Sequence, residues 1–207
     1  MARFSIAFDN ADHKLGFYFD LSKQDIIDYI NQNGNGHQIT EIPSDLCSQA
    51  YIDITLAIDN PDIFLFIAYS HGQKDRLLST QGSYIQVNIN SNRFVNSFFY
   101  SMACHTAVEL GVDLFGKNCR CFIGYEDEAW ILHNHIGISI SCDNFGMKKF
   151  ISGSTLKQSF DEMKQNFTSE IDTLEANGDA LAASYLRLTR DALVMQTSNP
   201  DLTFGLF

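Results

Sequence analysis

Two apolar runs organise the hydrophobic pattern of the chain. Phe64-Leu65-Phe66-Ile67-Ala68 leads into His71-Gly72, and Phe98-Phe99-Tyr100, followed by Met102 and Ala103, leads into Cys104-His105. Runs that are apolar at nearly every position, and not only at every second one, read as strands buried on both faces of a parallel sheet. They predict core strands over about residues 63–70, following Pro61, and 97–103. A further strand is predicted from Arg120 to Tyr125. Near the start the period is two: Phe4, Ile6 and Phe8 alternate with polar residues, and so do Leu15, Phe17 and Phe19. With the turn-forming Asn10-Ala11-Asp12-His13 between them, these predict an N-terminal hairpin with one buried face.

Helical spacing appears elsewhere. Ser22 with Asp25 three positions on reads as a cap, and Ile26, Ile27 and Ile30 as the apolar stripe behind it. Asn31 to His37 reads as a loop, and Ser48 to Ile58 as a helix or turn. Leu77-Leu78-Ser79 and Tyr84 to Val87 frame Gln81-Gly82 as a small hairpin inside a polar excursion. Ala107, Val108, Gly111, Leu114 and Phe115 predict a helix directly after Cys104. Leu156, Phe160, Met163, Phe167, Ile171 and Leu174 mark a long helix broken at Asn177-Gly178. Leu181, Tyr185, Leu188 and Leu193 stripe a last one. There is no repeat, linker or low-complexity segment. The pattern describes one α/β domain over residues 1–207, with a mostly parallel core sheet, flanking helices, an N-terminal hairpin and a helical C-terminal tail.

Composition narrows the function classes. At 207 residues, 45% hydrophobic and 13% aromatic, the chain can bury a sizeable core. A net charge of −11 argues against nucleic acid or an anionic membrane as the main partner. No apolar stretch reaches the length of a membrane span, and the first residues do not read as a secretory signal. Five cysteines (Cys47, Cys104, Cys119, Cys121 and Cys142) form no regular framework, which fits a reducing cytoplasm. Cys119-Arg120-Cys121 lacks the two-residue gap of zinc or redox pairs, so these thiols read as small buried fillers.

Candidate chemistry follows from the two runs. Ligands and reactions in parallel sheets gather at the carboxyl ends of the strands. If the two strands are neighbours, the imidazole of His71 and the thiol of Cys104 meet there, as a base and a nucleophile. A helix beginning just after Cys104 would lower its pKa. The backbone N–H groups of Gly72 and Cys104 are the natural donors to a developing oxyanion. Glu126-Asp127-Glu128 follows the third core strand, where substrate-binding loops emerge. Each feature has a plainer reading: a packed cysteine, a satisfied histidine, a solvated turn. His133-Asn134-His135 sets two imidazoles on one side of an extended segment, without an obvious third metal ligand. His105 reads as pointing away from the thiol.

Ser70-His71-Gly72 and Ala103-Cys104-His105-Thr106 resemble the caspase-like cysteine peptidases of clan CD, a group that includes caspases, metacaspases, gingipains, separase and bacterial CHAT domains. Members share a hydrophobic strand ending in His-Gly and a later one ending in Ala-Cys or Ser-Cys. The resemblance covers about residues 63–125 and is nearest to bacterial CHAT and metacaspase-type domains. The 33 residues from His71 to Cys104 fall short of the roughly 50 of caspases. Met102 stands where caspases carry Gln and metacaspases an acid, and Arg76, Arg93 and Arg120 form no clear substrate-binding pair. The resemblance implies a cytoplasmic caspase-like endopeptidase acting through His71 and Cys104 on a protein or peptide substrate, with no metal or organic cofactor. It further implies cleavage after a basic residue, read by Glu126, Asp127 and Glu128, with Asp113 or Asp143 as substitutes. A regulatory or activating protein partner is expected, within a bacterial defence system. The alternatives are a catalytically inactive interaction domain with the same fold and a hydrolase of non-peptide amides.

Overall fold

A computed structural model of the chain describes residues 2–33, 36–58 and 63–206. Pro61, and Gly34 and Asn35 of the expected loop, lie outside this set. The chain runs β1 (Arg3–Phe8), α1 (Gly16–Asn33), β2 (Gln38–Ile42), α2 (Gln49–Ile58) and β3 (Leu65–Tyr69). A three-stranded excursion follows, β4 (His71–Gln73), β5 (Arg76–Ser79) and β6 (Gly82–Gln86), and then β7 (Phe98–Ser101). The remainder is α3 (Leu110–Gly116), β8 (Cys121–Tyr125), α4 (Ile136–Ile151), α5 (Leu156–Ala176), α6 (Ala180–Asp191) and β9 (Leu193–Thr197).

The fold is mixed α/β, with a mostly parallel six-stranded sheet in the order β2-β1-β3-β7-β8-β9. Only β9 runs antiparallel, along β8. β1, β3, β7 and β8 are buried at almost every residue, because helices cover both faces. Alternation along each strand sorts the side chains. Ile67, Tyr69, Phe98, Tyr100, Ile123 and Tyr125 join the cluster that holds α1, α4, α5 and α6. Phe66, Ala68, Phe99 and Phe122 join the one that holds α2 and α3. β1 connects outward to β2 while β3 connects the other way to β7, so the strand order reverses between β1 and β3. Open α/β sheets leave a crevice at such a point, outside the strand ends.

Several expectations need correction. There is no N-terminal hairpin: β1 pairs in parallel with β2 and β3, and Leu15 to Phe19 enter a helix. Phe17 is 69% exposed while Tyr18 and Phe19 are buried, a helical pattern that three alternating residues imitate. Ser22 lies buried within α1 and does not cap it. The helix after Cys104 starts at Leu110, with turns in between. His133 to His135 form a short 3-10 turn into α4, which the apolar pattern did not single out. The tail is not helical to the end, since Leu193 opens β9. Its last helix buries Ala182, Ala183, Leu186 and Thr189, and turns Leu181 and Leu188 outward.

Candidate active site

Register decides which strand ends meet. β3 and β7 are parallel neighbours with Ala68 opposite Ser101, so His71 and Cys104 each follow three residues beyond a paired position. The two loops touch through their backbones. A Cβ built on Gly72 would lie 2.4 Å from the Cys104 carbonyl oxygen, 2.7 Å from Thr106 Cγ2 and 3.0 Å from Ala103 Cβ. Only glycine fits there, because the space belongs to the Cys104 turn.

His71 is held by a residue that the sequence reading passed over. Its Nε2 lies 3.2 Å from Asp12 Oδ2. Asp12 follows β1 on the other side of the crevice, and its Oδ1 accepts from Lys14 N at 2.9 Å and Leu15 N at 2.7 Å, capping the turn that opens α1. Burial pushes the Asp12 carboxyl up, but the N–H groups of Leu15 and Lys14 and the imidazole of His71 outweigh it and hold it below the usual carboxylate value. The Phe19 ring meets the imidazole edge to face, with centroids 5.6 Å apart. One carboxylate thus caps a helix and orients a histidine. The signal for it was an Asp in the turn after an apolar strand, a position that read equally well as the bend of a hairpin.

Cys104 sits in a tight turn. Thr106 Oγ1 donates to Ala103 O at 3.0 Å and lies 3.0 Å from Ser101 Oγ. His105 adopts φ 61°, a left-handed conformation that is uncommon outside glycine. The segment 126–131 straps this turn down. His105 N donates to Asp127 O at 3.2 Å, Ala107 N to Tyr125 O at 2.9 Å, and Ala129 N to Cys104 Sγ at 3.3 Å. Among the described residues no backbone carbonyl accepts from Cys104 N.

The thiol differs from the expectation of a lowered pKa. Burial pushes Cys104 up, the Ala129 N–H works against this, and the Glu128 carboxylate adds to it. α3 begins too far along to offset these effects, and His71 is bonded to Asp12. At rest the Cys104 thiol is pushed toward its neutral form and the His71 imidazole is bonded to Asp12. Cys104 is nevertheless the one cysteine of the five that is only half-buried. Burial drives Cys119 to about 11 and Cys47 to about 12. All five are free, and Cys119 and Cys121 are buried in the core, as their strand setting suggested.

Two depressions flank the strap, and Trp130 lines both. One, of about 330 Å³, holds His71 with Lys14, Leu15, Ala129, Ile131 and His133. The other, of about 580 Å³, is walled by Glu126, Asp127, Glu128 and Asp191, together with Val108 and Leu188. The acidic loop therefore adjoins the Cys104 turn but opens on the side away from His71. His105 Nδ1 lies 3.9 Å from Asp127 Oδ1. His135 bonds Asp179 at 2.9 Å. Among the described residues no group of three or more His, Cys, Asp or Glu side chains is placed to hold a metal ion. No described helix is long and apolar enough to cross a membrane. Arg76 pairs with Asp75, Arg93 with Asp53 and Asp113 with Lys117.

Asp143, the other substitute for the acidic loop, is fully buried beneath the site. It accepts from Tyr18 and, at 2.6 Å, from Tyr125, and burial raises its carboxyl to about 6 despite those two bonds. It is not open to a substrate. Set beside known proteins, this chain has no match among family models and none among curated proteins.

Proposed function

We propose that the protein is a caspase-like cysteine endopeptidase working through His71 and Cys104. The observation that carries this reading is the Asp12–His71 hydrogen bond at the same sheet edge as the strapped, half-buried Cys104. With Nε2 on Asp12, Nδ1 is the ring nitrogen left for chemistry. When a peptide enters, Nδ1 takes the thiol proton as Sγ bonds to the scissile carbonyl carbon. The oxyanion accepts from the N–H of Cys104 and from that of Gly72. The C–N bond then breaks, the imidazolium returns its proton to the leaving amine, and water hydrolyses the thioester with His71 again as base. A thiol pushed toward its neutral form fits proton transfer coupled to substrate attack.

A basic residue before the cleaved bond suits the larger depression. Carboxylates from Glu126, Asp127 and Glu128 would meet the cation, while Val108, Leu188 and Trp130 would cover its aliphatic stem.

The rival reading is a non-catalytic interaction domain, favoured by the upward push on the Cys104 thiol and by an imidazole engaged with Asp12. A peptide-library cleavage assay separates the two. The peptidase reading expects cleavage by the wild type, with nearly all turnover lost in Cys104→Ala and in His71→Ala and little further loss in the double variant. Equal cleavage by wild type and Cys104→Ala, or none by either, rejects it.

A further inference from the structure

α6 carries two apolar faces. One, built on Ala182, Ala183, Leu186 and Thr189, is buried. The other carries Leu181 and Leu188, 67% and 56% exposed, with half-buried Tyr185 between them at steps of four and three. Trp130 extends this second face: its ring packs on Tyr185 with centroids 4.7 Å apart. Leu181 and Tyr185 line a depression of about 230 Å³, and Trp130 and Leu188 line the acid-walled one of about 580 Å³. A single apolar strip therefore joins two concavities. Large exposed apolar strips on a folded domain mark interaction surfaces.

Charge selects the occupant. Neither depression is lined by Lys or Arg. Asp191 is engaged by Arg190 and Asp179 by His135, whereas Glu126 and Glu128 make no ion pair among the described residues. A second copy of a chain with net charge −11 would be repelled, as would an anionic membrane or a nucleic acid. A segment with aliphatic residues on one side and Lys or Arg on the other meets both the strip and its acidic end.

We propose that the outer face of α6, with Trp130, is a docking surface for a basic amphipathic segment of a partner protein. The strip requires nothing of Cys104 and stands whether or not the thiol is a nucleophile. If it is, the occupant's cations meet the same strap that holds Cys104 through Ala129 N. Docking then bears directly on the nucleophile's turn.

Trp130 is the chain's single tryptophan, so its emission reports occupancy without any need for turnover. The full chain is titrated with a Trp-free amphipathic Leu/Lys helical peptide, alongside a Leu/Glu peptide of the same pattern. The Leu/Lys peptide should shift Trp130 emission, and added salt should weaken its binding. Leu181→Ser with Leu188→Ser should weaken it about tenfold, through lost apolar contact. Both sites are exposed, and circular dichroism checks that the fold survives. Glu126→Gln with Glu128→Gln should weaken binding and flatten its salt dependence. Equal binding of the Leu/Glu peptide, unchanged affinity in the serine variant, or no binding by calorimetry each overturns the proposal. So does sedimentation showing a dimer that the serine variant disrupts, since the face would then belong to a second copy. Cleavage lost in Cys104→Ala while peptide binding persists keeps the two readings separate.

Discussion

The two faces of the central sheet come from the same strands and have opposite characters. Phe66, Phe99 and Phe122 point to one side and close around Phe94, with ring centroids 4.9 to 5.7 Å apart along the chain of contacts. Tyr69, Tyr100 and Tyr125 point to the other, at or near the strand ends, and their hydroxyls are tied to the α4 residues Asp143 and Asn144. Tyr18 from α1 completes that tier, and Asn144 Nδ2 donates to Ser22 O and Asp25 Oδ2. The dry face needs only volume. The tyrosine face needs a partner for each of its four tyrosine hydroxyls, because an unpartnered buried polar group costs more than a hydrogen bond returns. The difference teaches where precision is placed: the oriented network lies just beneath the crevice that holds Asp12, His71 and Cys104.

The dry face should show the largest effect. Phe99→Ala removes a ring at the centre of the phenylalanine cluster and should cost about 3–5 kcal/mol in urea unfolding. That loss should be the same at acid and neutral pH, since nothing there titrates. A strongly pH-dependent loss would show the two faces to be coupled.

Asp143→Asn should behave in the opposite way. The folded carboxyl is raised to about 6 from 3.8, so its stabilising contribution is full below the ordinary value and is lost as pH rises through about 6. Asparagine keeps its size and stays neutral throughout. The variant should match the wild type near the acid end of that window. Above it, the variant should be the more stable by up to about 3 kcal/mol. A difference that stays flat with pH, or one that favours the wild type at high pH, breaks the comparison.

Substitutions at the crevice should strike turnover. Asp12→Asn can still cap α1 through its amide oxygen but offers His71 Nε2 a donor, which imposes the wrong tautomer. Cleavage should fall at least about a hundredfold. Near-normal turnover would reduce Asp12 to a helix cap. Gly72→Ala pushes a methyl group into the Cys104 carbonyl and should cost about a hundredfold through displacement of the thiol. Wild-type activity there would show that the loop yields freely.

The smallest effect concerns the thiol itself. Iodoacetamide should label Cys104 ahead of the four buried cysteines, by about tenfold near neutral pH, with a rate that keeps rising into alkaline pH as the raised thiol ionises. Prior labelling of Cys47 or Cys142 would contradict the burial seen here.

The core strands were legible because burial on both faces leaves an unbroken apolar run, and β3, β7 and β8 fall inside the predicted ranges. The excursion around Gln81-Gly82 was legible from turn chemistry. β2 was not, since an edge strand with two exposed and two half-buried residues carries little pattern. The start of α1 was misread because Leu15, Phe17 and Phe19 satisfy a period of two over too short a span, while its stripe of Ile26, Ile27 and Ile30 was legible. α4 hid because its buried face includes Ser139, Asp143, Asn144 and Gly146, residues whose polarity or small size conceals a core helix. The stripe of α6 was visible in the sequence, but no periodicity says which of two apolar faces meets the core.

The sequence by itself determined the strand cores, the mixed α/β class and the placement of His71 and Cys104 at the ends of apolar runs. Those features depend on neighbours along the chain, where spacing is information. Tertiary structure alone decided that β1 joins β2 and β3 in parallel, which carries Asp12 across the crevice to His71. It also decided that the Cys104 thiol is pushed up and not down, and that Leu181 and Leu188 face out. Each of these depends on what packs from a distant part of the chain, which spacing between neighbouring residues does not record.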